Sequence, residues 1–132
     1  MGKGFADWAW FCEDYEWRDS RVSCYLGLED GGAGSPEELL AAAHASCYAM
    51  ALSATLARKR TPPERLNVTA KCTFDKVGDG FKVTTMELTV RGKVPTLQAS
   101  AFQEAAQAAE KACPISNAIR NNVEIKLSAT LD

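Results

Sequence analysis

The chain has 132 residues, 46% of them hydrophobic and 24% charged, with a formal net charge of −2. That length fits one domain with a modest core, and the composition is ordinary for a soluble globular protein. So even a charge balance gives no electrostatic case for binding DNA, RNA or an anionic membrane.

Met1 to Trp17 lacks a charged stretch followed by an apolar one, so no secretory signal is expected. Seven of the eleven aromatic residues fall within the first 25 positions. Their spacing follows neither a helical nor a strand period, and strands or irregular packing are expected there. Glu29-Asp30-Gly31-Gly32-Ala33-Gly34 reads as a turn-rich loop. A sharp helix start follows: Ser35 can cap, Pro36 suits the first helical position, and Glu38 completes a capping box. This helix is predicted to run from Pro36 to about Arg60, where Pro62-Pro63 ends it. Arg58-Lys59-Arg60 would complement the exposed carbonyls of its last turn.

The apolar run Leu39–Ala57 approaches membrane-spanning length. Its eight alanines, with His44, Ser46, Ser53 and Thr55, favour a helix buried in protein instead. Apolar residues lie on nearly every face of it, which predicts burial all round. So short a chain has little material for that cover, and a partner subunit is expected to supply the rest.

Leu66, Val68, Ala70, Cys72 and Phe74 alternate with polar residues, the pattern of a half-buried strand. Asp75 to Gly80 turns the chain into a hairpin partner, Phe81 to Val90. The apolar phase slips from Phe81 and Val83 to Met86, Leu88 and Val90, so a bulge is predicted near Thr84-Thr85. A second helix is predicted over 100–112. Cys113-Pro114 breaks it, and Pro114 restarts a short helix to about Arg120. After a turn at Asn121-Asn122, alternation from Val123 to Leu131 gives a last strand. The whole reads as an α+β domain.

Five cysteines, Cys12, Cys24, Cys47, Cys72 and Cys113, make an odd count. That argues against a secreted disulfide framework and for free thiols in a reducing compartment, the cytoplasm. Cys72 shares the apolar face of its strand and is expected to be core packing. Cys12 and Cys24 are read as structural. Cys47, inside the Ala-rich helix, is by position alone more often core than catalyst. Cys113 precedes Pro114 at a helix start, where amides and the helix dipole favour a thiolate. His44 lies one turn before Cys47, so a Cys–His nucleophile pair is conceivable. Nothing in the sequence marks a group to orient that histidine, and zinc would need more ligands.

One stretch is more specific. Gly34-Ser35-Pro36-Glu37-Glu38-Leu39-Leu40-Ala41-Ala42-Ala43-His44-Ala45-Ser46-Cys47, followed by Met50-Ala51-Leu52-Ser53, closely resembles the nucleophile helix of the OsmC/Ohr family, the osmotically inducible and organic hydroperoxide resistance proteins. The resemblance continues through Phe74-Asp75-Lys76-Val77, Gly80-Phe81, Val94-Pro95, Cys113-Pro114-Ile115-Ser116 and Glu124-Ile125-Lys126-Leu127, and is nearest the OsmC branch. It implies a single OsmC-like domain over 1–132, with two long central helices packed with antiparallel β-sheets in an intertwined homodimer. It also implies an antioxidant stress-response thiol peroxidase without cofactor or metal. Cys47 would attack an organic hydroperoxide and become a sulfenic acid. Cys113 would close a disulfide with it, and an external dithiol would reduce that disulfide. His44 is, by the same resemblance, a helix residue rather than a catalyst.

The family also uses a Glu and an Arg to hold the thiolate and the peroxide. The Glu matches Glu37, but along a straight helix it stands about 15 Å from Cys47. It would therefore act through the Arg or across the dimer. The Arg belongs in a strand ahead of the helix, and at the family's spacing this chain has Gly27. Arg21 is the first candidate and Arg18 the second, in a segment, residues 1–30, that diverges from the family pattern. Should neither serve, the alternative is a non-enzymatic OsmC-like domain that binds an apolar ligand or partner.

Overall fold

A computed structural model describes residues 21–24 and 36–132. The aromatic-rich segment, Arg18, Cys12 and the Ser35 cap lie outside the described residues, and of Arg21 and Cys24 only the backbone is described. The elements are β1 (Arg21–Cys24), α1 (Pro36–Arg58), β2 (Arg65–Val77), β3 (Gly80–Lys93), α2 (Ala99–Ala112), α3 (Pro114–Ile119) and β4 (Glu124–Leu131).

The strands form one sheet in the order β1-β2-β3-β4. β2 and β3 are the antiparallel hairpin read from the alternation, while β4 runs parallel to β3 and β1 parallel to β2. A parallel neighbour requires a long return, and α2 with α3 supplies it between β3 and β4. The hairpin turns on two residues, and its first, Gly78, has φ 62°, a conformation that glycine adopts without a steric penalty. Thr73 pairs with Thr85 and Phe74 with Val83, so Thr84 is the extra residue of the expected bulge. Its hydroxyl donates to Asp75 at 2.6 Å.

One row on each strand faces the helices. Leu66, Val68, Leu88 and Val90 form the main core with Tyr48, Leu52 and Leu56 of α1 and Phe102, Ala105 and Ala109 of α2. Gly92 allows α2 to lie this close, because a Cβ there would sit 2.6 Å from the Phe102 ring. Tyr48 fastens the two helices by donating to the Ala106 carbonyl at 3.0 Å. The Gln103 amide donates to the Ala129 carbonyl, which ties α2 to β4.

α1 is long and apolar enough to span a membrane, yet half of its apolar stretch is buried inside the fold. A core helix can be equally long and apolar. The expectation of burial on every side is not met within one protomer. Ala41, His44, Ala45, Tyr48, Ala49, Leu52 and Leu56 are buried, whereas Leu39 is 48% exposed and Cys47, Met50 and Ala54 are half-buried. One sheet and one other long helix can cover only one face of a helix. The hairpin tip is also bare, and Phe74 and Phe81 stack there at 5.1 Å in the open.

Candidate active site

The site forms where α1 meets the break between α2 and α3. Pro114 has no amide to donate, and it disfavours helical backbone at the residue before it. Cys113 accordingly takes extended angles, φ −65° and ψ 118°, between two helices. The break is braced from both sides. Asn117 donates to the Lys111 carbonyl at 3.1 Å, and Arg120 donates to the Glu110 carbonyl at 3.2 Å. The Arg120 guanidinium also lies 2.8 Å from the Glu110 carboxylate, an ion pair without hydrogen-bond alignment.

Cys113 is fully buried, and Cys47 on α1 is half-buried against the same core. Both thiols are free, and each is a hydrogen-bond partner of the other. Their environments differ. Burial pushes the Cys47 thiol up; the Ile115 amide pulls it down, and Cys113 raises it again, for a net rise. Burial also opposes ionisation of Cys113, but His44, the Ser116 amide and hydroxyl, and Cys47 together lower it from 9.0 to about 7. Of the pair, Cys113 loses its proton first.

His44 Nε2 lies 2.7 Å from Ser116 Oγ, both residues fully buried, while His44 Nδ1 has no partner. His44 thus faces the interior and the Cys-Pro-x-Ser turn. The orienting group that the sequence did not mark is Ser116. Its signal was present in two halves, a histidine among alanines and the Ser of Cys113-Pro114-Ile115-Ser116. The pairing spans two distant elements, which no local spacing reveals.

Cys47 also lines an open groove of about 300 Å³ with Met50, Ala51, Ala54 and Arg58 of α1 and Ala112 and Pro114 of the break. Small side chains on α1 leave this space. Glu37 is elsewhere: at the start of α1 it acts on Cys72, whose thiol is raised first by burial and then by the Glu37 charge. Cys72 packs beside Ala41, Met86 and Val123, a second small cluster. Of the expected site residues, Cys47 and Cys113 come together, Glu37 stands apart in the protomer, and the Arg21 side chain lies outside the described residues. Among the described residues no three His, Cys, Asp or Glu side chains are grouped to hold a metal ion.

A family model described as OsmC-like protein matches residues 29–128. The chain belongs to the OsmC-like family. Peroxiredoxin OsmC of Escherichia coli K12 is 37% identical over 91 residues, which are 69% of this chain and 64% of that protein, so the match spans less than two thirds of its length. The organic hydroperoxide resistance protein of Xanthomonas axonopodis pv. citri is 30% identical over 104 residues, 78% of this chain and 71% of that one. Among solved structures, an organic hydroperoxide resistance protein of Legionella pneumophila superposes with a TM-score of 0.65 at 29% identity, covering 76% of this chain and 72% of that chain. An OsmC-like protein of Mycoplasma pneumoniae reaches 0.68 at 15% identity, covering 83% and 79%, a likeness of fold alone.

Proposed function

We propose that this OsmC-like protein is a thiol-dependent peroxidase that reduces organic hydroperoxides. The observation that carries the reading is the contact between two free thiols from separate elements, one of which opens onto an apolar groove. Cys47, as thiolate, attacks the peroxide oxygen distal to the organic group. The O–O bond breaks, the alkoxide takes a proton and leaves as an alcohol, and Cys47 becomes a sulfenic acid. Cys113 then attacks the Cys47 sulfur, a disulfide forms and water departs. An external dithiol restores both thiols. The names of the E. coli and Xanthomonas relatives, a peroxiredoxin and an organic hydroperoxide resistance protein, support the peroxidase role.

Cys47 needs a cation, because burial alone holds its thiol protonated. Arg21 is our first choice and Arg18 the second, since guanidinium stays charged and can also grip the Glu37 carboxylate. Glu37 reaches the thiol region from a second copy of the chain. The bare outer face of α1 and the exposed Leu39, Phe74 and Phe81 favour such a homodimer. Arg21→Met, or failing that Arg18→Met, should slow iodoacetamide alkylation of Cys47 near neutral pH and leave assembly unchanged; if neither does, no N-terminal Arg activates Cys47.

The deciding experiment is a thiol titration of the reduced protein before and after one equivalent of cumene hydroperoxide, followed by turnover with dithiothreitol. Loss of two thiols as an internal disulfide, and sustained peroxide consumption, are expected. No loss of thiols would leave the other reading, a non-enzymatic domain that takes an apolar ligand in the groove.

A further inference from the structure

His44 is the largest polar side chain among the buried residues of α1, which are mostly apolar. An alanine or leucine would pack there without the desolvation cost that a buried imidazole bears unless it is hydrogen-bonded. Its Nε2 lies 2.7 Å from Ser116 Oγ of α3, and both side chains are hydrogen-bond partners of the Cys113 sulfur. We propose that His44 and Ser116 form a hydrogen-bond relay that holds Cys113 as a thiolate poised for disulfide closure, with His44 a positioning residue for that step. The inference rests on the peroxidase reading for its use, though not for its existence.

The direction of the relay follows from proton counting. If Nδ1 carried the ring proton, a buried N–H would be stranded, since Nδ1 has no partner. Ser116 would then have to turn its hydroxyl proton toward Nε2. With the proton on Nε2, only an acceptor lone pair at Nδ1 goes unpaired, which costs less. Nε2–H then donates to Ser116 Oγ, and the Ser116 proton is free to point at the Cys113 sulfur. The Ser116 amide donates to that sulfur as well, and the Nε2–H that serves Ser116 Oγ is shared with it. These are donors only, the set a sulfur anion requires.

The remaining groups around Cys113 fit this assignment. Cys47 donates its S–H to Cys113. Tyr48 is engaged with the Ala106 carbonyl, and burial, then Glu110, then Cys113 push its phenol far above the usual range, so it adds no anion. Glu110 is paired to Arg120. In the closing step the Cys113 thiolate attacks the sulfur of Cys47–SOH. The S–S bond forms, the S–O bond breaks, and the departing hydroxide takes up the proton that Cys113 released. The Cys113 sulfur is oxidised and the sulfenic sulfur reduced, so the step balances.

The test has two arms on the full chain. In a background with Cys12, Cys24, Cys47 and Cys72 replaced by Ala, thiolate absorbance against pH reads Cys113 alone and needs no peroxidase activity. His44→Leu and Ser116→Ala should each cut the thiolate fraction near neutral pH by up to about tenfold, one pH unit of midpoint. His44→Gln, which keeps an N–H donor, should recover part of it. An unmoved midpoint in Ser116→Ala, or Gln behaving as Leu, overturns the relay; Ser116→Ala decides alone if His44→Leu does not fold. In the second arm, stopped-flow oxidation of the protein with all its cysteines should show disulfide closure slowed about tenfold in His44→Leu, with no slowing of the first oxidation. Should the unsubstituted protein not react with cumene hydroperoxide, the peroxidase reading fails, and the titration still decides the relay.

Discussion

On the inner side of α1, Tyr48, Ala49, Leu52 and Leu56 are 0% exposed; on the outer side Cys47, Met50 and Ala54 are only half-buried, and Leu39 is 48% exposed. The inner row also carries His44, and through Ser116 it supplies donors to Cys113. A thiol in that interior is shielded from peroxide but easily ionised. The outer row does the reverse: Cys47 opens onto a groove, yet burial raises it, and Arg58, three turns further along the same groove, does not offset the cost. Access and charge stabilisation are therefore divided between two sulfurs in contact, and the proposed peroxidase would use both.

The largest effect expected from this division is on turnover. Cys47→Ser should abolish peroxide reduction, because the accessible nucleophile is gone. Cys113→Ser should react once and stall as a sulfenic acid that over-oxidises under excess peroxide. Mass spectrometry after one equivalent of peroxide reads both outcomes. Full turnover by Cys113→Ser, with no disulfide, would break the comparison at its root.

Next in size is packing. Leu52→Ala on the inner row should cost about 2–5 kcal/mol, the transfer term plus the cavity left between α1 and the sheet. Met50→Ala on the outer row, half-exposed in the protomer, should cost under about 1.5 kcal/mol. Urea denaturation at fixed protein concentration makes the measurement. Equal losses would mean that the outer row is as fully covered as the inner, as a tight dimer would make it.

The pH dependence of stability is smaller, and its sign separates the two thiols. Cys113 is lowered on folding from 9.0 to about 7, so its contribution is fully present above the unfolded value and is lost as pH falls through 7. Stability from this group should thus climb between pH 7 and 9, by at most a few kcal/mol. Cys47 is raised, so its contribution is present below the unfolded value and fades as pH rises beyond it, which trims the gain. Denaturation midpoints from pH 6 to 9 should rise in the unsubstituted protein and stay flatter in Cys113→Ser. A fall over that range would reverse the assignment of the low thiol.

Much of this arrangement was legible before any coordinates. The Pro36 start and the Pro62-Pro63 stop bracket α1, and the phase slip at Thr84 located the bulge. Pro114 located the break that presents Cys113. These are local effects, written within a few residues. The apolar faces of α1 were legible from composition, but which of them the protomer covers itself, and which it leaves bare, depends on how the sheet and α2 dock. The parallel addition of β4 and the approach of His44 to Ser116 depend on how distant elements dock. Helix geometry already put Glu37 far from Cys47, but its approach to Cys72 on β2 is another contact between distant elements.

The smallest effect concerns what the outer row selects. Met50, Ala51, Ala54, Ala112 and Pro114 give the groove an apolar lining next to Cys47. A hydroperoxide with an apolar tail can leave part of that tail out of water there, whereas hydrogen peroxide gains nothing beyond contact at the sulfur. A tenfold preference requires only about 1.4 kcal/mol, the burial of roughly two methylene groups. We expect kcat/KM for cumene hydroperoxide to exceed that for hydrogen peroxide by at least about tenfold, set by the groove rather than by the thiolate. Met50→Ala should narrow the ratio by lowering the cumene value and leave the hydrogen peroxide value nearly unchanged. A substitution that acted by altering Cys47 ionisation would lower both rates together. Equal rates for the two peroxides in the unsubstituted protein would assign the groove no part in recognition, and the outer row of α1 would then be reserved for the partner subunit alone.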